Sequence, residues 1–225
     1  MMRISAKMAA FFRVSTLSVM ALAVFLCSVS ADPDLLQDVC VADLASGVRV
    51  NGFPCKATFN ATDFSSNILA KPGATNNSMG SRVTGANVMK IPGLNTLSIS
   101  LSRIDYAPGG LNPPHTHPRA TEVVFVLEGE LDVGFITTAD VLISKSIQKG
   151  EIFVFPRGLV HFQKNNGKEP AAVVAAFNSQ LPGTQSIAAT LFAASPPVPD
   201  NVLTKAFQVG TKEVNKIKTR LAPKK

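Results

Sequence analysis

The chain has 225 residues, of which 46% are apolar, enough for one domain of ordinary size with a substantial core. Its net charge is +7, but outside the C-terminal tail the basic residues form no dense stripe with interleaved aromatic side chains. That distribution excludes the usual pattern of a nucleic-acid-binding protein.

Residues 1–30 have the composition of a secretory signal peptide. Three basic residues flank or precede an apolar run at 14–27, and small residues precede a cleavage site after Ser30 or, alternatively, after Ala31. The run is short for a transmembrane helix, so we expect a secreted protein with no membrane span once the signal is removed. A retained signal anchor is the alternative. Cleavage lowers the net charge to +4, because residues 1–30 contain three basic and no acidic residues.

Residues 31–80 are rich in Gly, Asn, Asp, Ser and Pro and predict an extended arm. Cys40 and Cys55 are the even pair that remains after signal removal, and an oxidising compartment would bridge them. Such a bridge would contribute about 3 kcal/mol, and two free thiols are the alternative. Asn60 and Asn76 begin Asn-x-Ser/Thr triplets, which we expect to be glycosylated in an exported chain.

Residues 81–182 predict a series of short β-strands. Leucine and isoleucine alternate with serine at 97–102, which has the period of a strand. Further strand-length apolar segments, punctuated by glycine or proline, occur at 123–127, 131–135, 141–147, 152–155 and 171–177. Spacings of this kind are typical of an all-β sandwich or barrel.

Residues 183–225 predict helices. An alanine-rich stretch at 185–194 precedes Asp200, which would cap a helix running to Phe207. One apolar stripe follows at Val214, Ile217 and Leu221. The basic residues around it would also suit a membrane-surface helix, but so small a stripe favours packing on the barrel or on a neighbouring subunit.

The three histidines of the chain fall in two short segments that indicate one metal site. His115 and His117 are two residues apart, so on a strand their side chains point to the same face. Glu122 follows with a carboxylate, and His161 would come from another strand folded back alongside. Imidazole and carboxylate are ligands expected for a first-row divalent metal.

The two segments closely resemble the two sequence boxes of the cupin superfamily, in the form found in plant germins and germin-like proteins. They read GGLNPPHTHPRATE at 109–122 and GEIFVFPRGLVHFQ at 150–163. Residues 32–43 (DPDLLQDVCVAD), 51–55 (NGFPC) and 197–206 (PVPDNVLTKA) also look like that family. The resemblance therefore covers nearly all of the chain that would remain after signal cleavage.

The resemblance implies a β-jelly-roll barrel with a C-terminal α-helical extension and a Cys40–Cys55 bridge. It also implies glycosylated homohexamers, built as trimers of dimers, in the extracellular matrix or apoplast of the cell wall. The metal that it implies is manganese, held by His115, His117, Glu122 and His161. The ligand set also suits iron, and affinity alone does not separate these metals from zinc, nickel or copper.

Four such ligands leave a six-coordinate ion two open positions, which supports three hypotheses about function. The first is dismutation of superoxide to dioxygen and hydrogen peroxide. The second is oxalate oxidation, for which the family uses two asparagines: Asn112 matches one, but the other falls at Ser102, whose shorter side chain lacks the amide. Oxalate oxidation is therefore less favoured. The third is a non-enzymatic matrix protein or a protein that binds a small, auxin-like carboxylate.

Overall fold

The computed structural model describes residues 37–48 and 52–222, so the predicted signal peptide lies outside the described residues. Within them the chain forms two five-stranded antiparallel sheets followed by helices, which confirms the predicted all-β class with a C-terminal helical extension. The strands are β1 Ser81–Ala86, β2 Ser100–Tyr106, β3 Leu111–Thr116, β4 Glu122–Glu128, β5 Glu130–Ile136, β6 Leu142–Gln148, β7 Ile152–Phe155, β8 His161–Lys164, β9 Ala171–Phe177 and β10 Gln185–Ser186.

Strands that are distant in sequence lie side by side in both sheets. The first sheet has the order β1-β2-β9-β4-β7, and the second has the order β10-β3-β8-β5-β6. The turn between β4 and β5 passes through Gly129, whose φ of +73° suits glycine and where a side chain would meet the main chain of Pro170. Pairing of β3 with β8 brings the two histidine-bearing segments together.

The apolar core lies between the two sheets. Its buried members come from both, so each sheet covers the apolar face of the other. The largest of them are Tyr106, Phe155, Ile104, Leu131 and Ile147. β9 is almost continuously buried, because it occupies the centre of its sheet and pairs with β2 and β4.

The strand predicted at 97–102 begins only at Ser100, and its serine side is the one that points inward. Ser100 and Ser102 are 2% and 8% exposed, whereas Leu101 is 39% exposed. The Ser100 hydroxyl donates to the Ser179 carbonyl at 2.7 Å, which satisfies it inside the protein. The inner face of β2 is therefore polar only at its beginning, and farther along the same face Ile104 and Tyr106 join the apolar core.

The N-terminal arm is fixed to the barrel by a disulfide and by main-chain hydrogen bonds. The predicted bridge between Cys40 and Cys55 is present. Ala42 N–H donates to the Pro92 carbonyl at 2.9 Å, which ties the arm to a 3₁₀ turn at Pro92–Leu94. Asn60 caps a second 3₁₀ helix at Ala61–Phe64. Both glycosylation candidates, Asn60 and Asn76, are exposed, and their modification stays a prediction.

Three helices follow the barrel: α1 Ile187–Phe192, α2 Asp200–Phe207 and α3 Thr211–Leu221. One buried residue from each forms a small apolar cluster separate from the barrel core, namely Phe192, Leu203 and Val214. The stripe on α3 was expected to face the barrel or another subunit, but it packs against the neighbouring helices instead. Among the described residues, none of the helices is long and apolar enough to cross a membrane.

The predicted cap of α2 is wrong in detail. The N-cap position belongs to Pro199, and Asp200 is the first helical residue. The Asp200 carboxylate accepts a hydrogen bond from Lys218 Nζ at 2.6 Å, so it joins α2 to α3.

Candidate metal centre

The four predicted ligands converge between the two sheets. His115 on β3 lies directly opposite His161 on β8 in the second sheet, while Glu122 begins β4 in the first sheet. His117 follows the last residue of β3. All four side chains are buried, with exposures between 1% and 5%. The site therefore joins residues that are up to 46 positions apart in the sequence and that belong to opposing layers.

Two prolines shape the approach to the first histidine. The register between β3 and β8 shifts between Asn112 and His115, and the residues in the shift are Pro113 and Pro114. Proline has no N–H to donate to a sheet, so it is tolerated where the ladder is interrupted. The shift returns His115 to a paired position opposite His161.

The donor atoms lie close enough to share one ion. One donor atom from each ligand residue lies within 4.8 Å of all the others. Glu122 Oε2 lies 2.9 Å from His117 Nε2 and 3.1 Å from His161 Nε2. Metal–nitrogen and metal–oxygen bonds of about 2.0–2.2 Å need donors separated by roughly these distances. Three imidazoles and a carboxylate thus fit a first-row divalent metal ion.

Main-chain carbonyls orient all three imidazoles through their Nδ1 atoms. His115 Nδ1 lies 2.8 Å from the Pro113 carbonyl oxygen, and His161 Nδ1 lies 2.8 Å from that of Leu159. His117 Nδ1 lies 3.3 Å from the carbonyl oxygen of Gly183. A carbonyl oxygen only accepts, so each Nδ1 carries a proton, and each Nε2 is left facing the site, where it would present its lone pair to a bound metal.

Burial and mutual contacts set the charge of two of the ligands. Burial, followed by the neighbouring His161, lowers the pKa of His115 to about 4, which keeps this imidazole neutral at ordinary pH. Burial alone would raise the pKa of the Glu122 carboxyl. Hydrogen bonds from His117 and His161 outweigh that effect and lower it to about 2. The site therefore presents a neutral imidazole and an anionic carboxylate, the protonation states that metal binding requires.

Two phenylalanines form walls beside the imidazoles. The Phe155 ring stacks on His161 with centroids 4.5 Å apart, and Phe177 meets His117 edge-on at 4.8 Å. Both phenylalanines are at most 5% exposed. They keep water away from one side of the ligands and restrict the rotation of the rings.

A second layer of polar residues supports Glu122, and two of its members, Gln163 and Tyr106, were not predicted from the sequence. Gln163 Nε2 donates to Glu122 Oε1 at 3.2 Å. Gln163 Oε1 in turn accepts from Asn112 Nδ2 at 2.6 Å and from the Tyr106 hydroxyl at 3.2 Å. Burial, followed by the charges of Glu122 and Asp105, raises the pKa of Tyr106, so this hydroxyl stays a donor. A signal for Gln163 was present, because it lies two residues after His161 on the same strand face.

A cavity of about 400 Å³ opens onto three of the four ligands: His115, His117 and Glu122. The predicted pocket residues Ser102 and Asn112 both lie on its wall. The other lining residues are Val83, Gly85, Asn87, Ile104, Phe177, Leu181, Pro182, Gly183 and Thr184. A volume of this size lies within the range of about 300–1,000 Å³ that small-molecule sites occupy, so the cavity has room for more than a diatomic anion.

The loop at 181–184 closes one side of this cavity and is held by Arg119. Arg119 Nε donates to the Leu181 carbonyl at 2.9 Å, and its guanidinium lies against Gly183. Gly183 has φ +67°, and a side chain there would collide with the guanidinium. Because the Gly183 carbonyl accepts from His117, this packing also orients a ligand.

Comparison with known proteins agrees with this geometry. The model of the cupin family matches residues 66–215. Germin-like protein 5-1 of Oryza sativa subsp. japonica is 74% identical over 198 residues, which cover 88% of this chain and 90% of that protein. The rhicadhesin receptor of Pisum sativum is 74% identical over 194 residues, covering 85% and 89%. A recombinant oxalate oxidase solved with glycolate is 49% identical, with a TM-score of 0.81 and coverage of 85% and 98%.

Proposed function

Because the chain belongs to the germin-like proteins of the cupin family, we propose that it is a secreted, manganese-dependent superoxide dismutase. The observation that carries the proposal is the buried set of three Nε2 atoms and one carboxylate oxygen facing a cavity. Four protein ligands leave two positions open on a six-coordinate ion, and a small anion would reach these positions through the cavity. Secretion is supported by the disulfide and by the similarity to other germin-like proteins.

The chemistry that manganese supplies when bound is one-electron transfer: one superoxide is oxidised to dioxygen, and a second, with two protons, is reduced to hydrogen peroxide. The protein residues determine the charge and the geometry of the ligands around the metal. Glu122 contributes one negative charge and His115 stays neutral, so the ligand set suits a divalent ion. Gln163 fixes the second carboxylate oxygen, so Glu122 keeps its orientation when charge changes at the site.

A metal analysis combined with a superoxide assay tests the proposal. We expect the secreted protein, loaded with manganese, to bind about one ion per chain and to consume superoxide while forming hydrogen peroxide. Loading with zinc provides the control, because zinc occupies such sites without redox chemistry. Full manganese occupancy without superoxide turnover would refute the dismutase activity and leave a binding function, in line with the similarity to the pea receptor.

Oxalate oxidation is the second candidate, supported by the 49% identity to an oxalate oxidase. Its weakness is the serine at position 102, where the family's oxalate-oxidising members use an asparagine. Ser102→Asn should introduce oxalate turnover if that amide is the missing element. Oxalate turnover by the unmodified protein at rates matching the variant would show that the substitution is irrelevant.

We further propose that the chain assembles as a homohexamer, a trimer of dimers. The outer face of the first sheet carries exposed apolar side chains on three strands, which a monomer in water would leave uncovered. They are Leu101, Phe125, Ile152 and Val154. A second exposed group on and beside β6 comprises Ile136, Val141, Leu142 and Ile143. Light scattering should give the mass of six chains, and a monomer at micromolar concentration would contradict the proposal.

A further inference from the structure

The cavity contains a polar recess whose residues all precede the metal ligands in the sequence. Gly85 on β1 pairs with Ser102 on β2, and a side chain built at Gly85 would occupy the space between two polar atoms. Its Cβ would lie 3.5 Å from Asn87 Nδ2 and 3.7 Å from Ser102 Oγ. Because residue 85 is glycine, this space is open to a ligand, and all three residues line the cavity.

The Asn87 side chain is held in one orientation. Its Oδ1 accepts a hydrogen bond from Met89 N–H at 3.0 Å, which leaves the amide nitrogen directed away from that turn. The main-chain carbonyl of Asn87 accepts from Lys90 and Ile91, and the adjacent Val88 is fully buried. None of the hydrogen bonds within residues 37–48 and 52–222 uses Asn87 Nδ2 as a donor. A rigid, unused N–H donor on a cavity wall is suited to bind an acceptor oxygen of a ligand.

We propose that Gly85, Asn87 and Ser102 form a recognition subsite for the second oxygen-bearing end of a small carboxylate whose other end binds at the metal. The Asn87 amide and the Ser102 hydroxyl donate to a carboxylate or hydroxyl oxygen, while Gly85 provides the room. Asn87 is thus a specificity-determining residue that supplies an amide beside the serine. The subsite rests on the metal centre of the proposed function, but it does not require superoxide turnover.

The subsite distinguishes a hydroxy acid or dicarboxylate from a simple monocarboxylate. Acetate offers only the group that binds at the metal, whereas glycolate adds a hydroxyl of similar size. A site with unused polar donors rejects the analogue that lacks the matching group. We therefore expect manganese-loaded protein to bind glycolate at least tenfold more tightly than acetate.

Isothermal titration of the manganese-loaded, full-length secreted protein with glycolate and with acetate tests the subsite. Asn87→Asp keeps the acceptor that bonds Met89 but replaces the donor with a negative charge, so glycolate affinity should fall more than tenfold. Gly85→Ala fills the recess at ordinary contact distances and should lower glycolate affinity several-fold while leaving acetate binding unchanged. Asn215→Asp makes the same charge change at an exposed position on α3 and is the matched control.

The manganese electron paramagnetic resonance spectrum gives an independent readout, because glycolate bound near the ion should alter it in the unmodified protein and less in Asn87→Asp. The subsite is refuted if both variants keep full manganese and bind glycolate within twofold of the unmodified protein. Equal affinity of the unmodified protein for glycolate and acetate would also refute it. Absence of manganese binding in the unmodified protein would instead defeat the proposed metal function, and the subsite with it.

Discussion

Replacing Gln163 with leucine should weaken both the fold and the metal site. The Gln163 side chain is fully buried, and it is the shared partner of Glu122, Asn112 and Tyr106. Leucine fills a similar volume but neither donates nor accepts. The substitution would leave two buried polar groups, the Glu122 carboxylate oxygen and the Tyr106 hydroxyl, without this partner, together with the half-buried amide of Asn112.

The size of the effect follows from the cost of burying a polar group unpaired. Each buried group left unpaired costs about 1–3 kcal/mol, so with two such groups we expect the free energy of unfolding of the metal-free protein to fall by about 2 kcal/mol or more. Loss of the hydrogen bond to Glu122 also frees the carboxylate to rotate. Removing an outer-layer partner of this kind typically weakens metal binding by about 10–100-fold.

Urea unfolding of the metal-free protein and a competitive manganese titration measure the two effects separately. Gln148→Leu is the matched control, because it makes the same change at an exposed position on β6. A Gln163→Leu protein that unfolds within 1 kcal/mol of the unmodified chain and binds manganese within twofold would show that the hydrogen-bonded layer supports neither property.

Three further changes have expected outcomes. His161→Ala should abolish manganese binding, because it removes a ligand and the hydrogen bond to Glu122, and wild-type occupancy by metal analysis would refute the ligand assignment. Replacing Cys40 and Cys55 by alanine should lower the free energy of unfolding by about 3 kcal/mol, measured by urea denaturation, since the bridge spans 15 residues. Acid should destabilise the metal-free protein: the pKa of His115 is about 4 when folded against 6.5 when unfolded, so the unfolded chain binds more protons in that window. Stability should fall by about 3 kcal/mol as the pH drops from 6.5 to 4, at ~1.4 kcal/mol per unit, and a flat profile would contradict this.

Much of the barrel could be predicted because most of its strands have a recognisable apolar pattern in their own sequence. The segment at 171–177 is apolar throughout, and it forms the central strand β9 with the same bounds. The alternation at 97–102 predicted a strand, of which residues 100–102 form the beginning of β2, but a period of two does not say which face is inside. That choice depends on what covers each face: here Ser100 and Ser102 point into the interior, and Leu101 lies on the outer surface.

The metal ligands could be predicted because their chemistry and spacing are visible in the chain itself. The supporting residues were harder, since their roles depend on pairing between distant strands. Tyr106 reaches Gln163 only because β2 and β8 lie in facing sheets, 57 residues apart in sequence. Asn87 has no local pattern at all, and its relevance depends on the recess left by Gly85. The helical cluster was also misplaced, because an apolar stripe does not identify its partner.

The origin of the four ligands in opposing sheets has a consequence for how long the protein stays folded. A bound ion would link Glu122 in one sheet to His115 and His161 in the other, so that separating the layers would require its release. An ion present at 1,000 times its dissociation constant adds about 4 kcal/mol to the folded state. Resistance to heat and proteases would then increase with the metal concentration, and the ion would determine the lifetime of the folded protein.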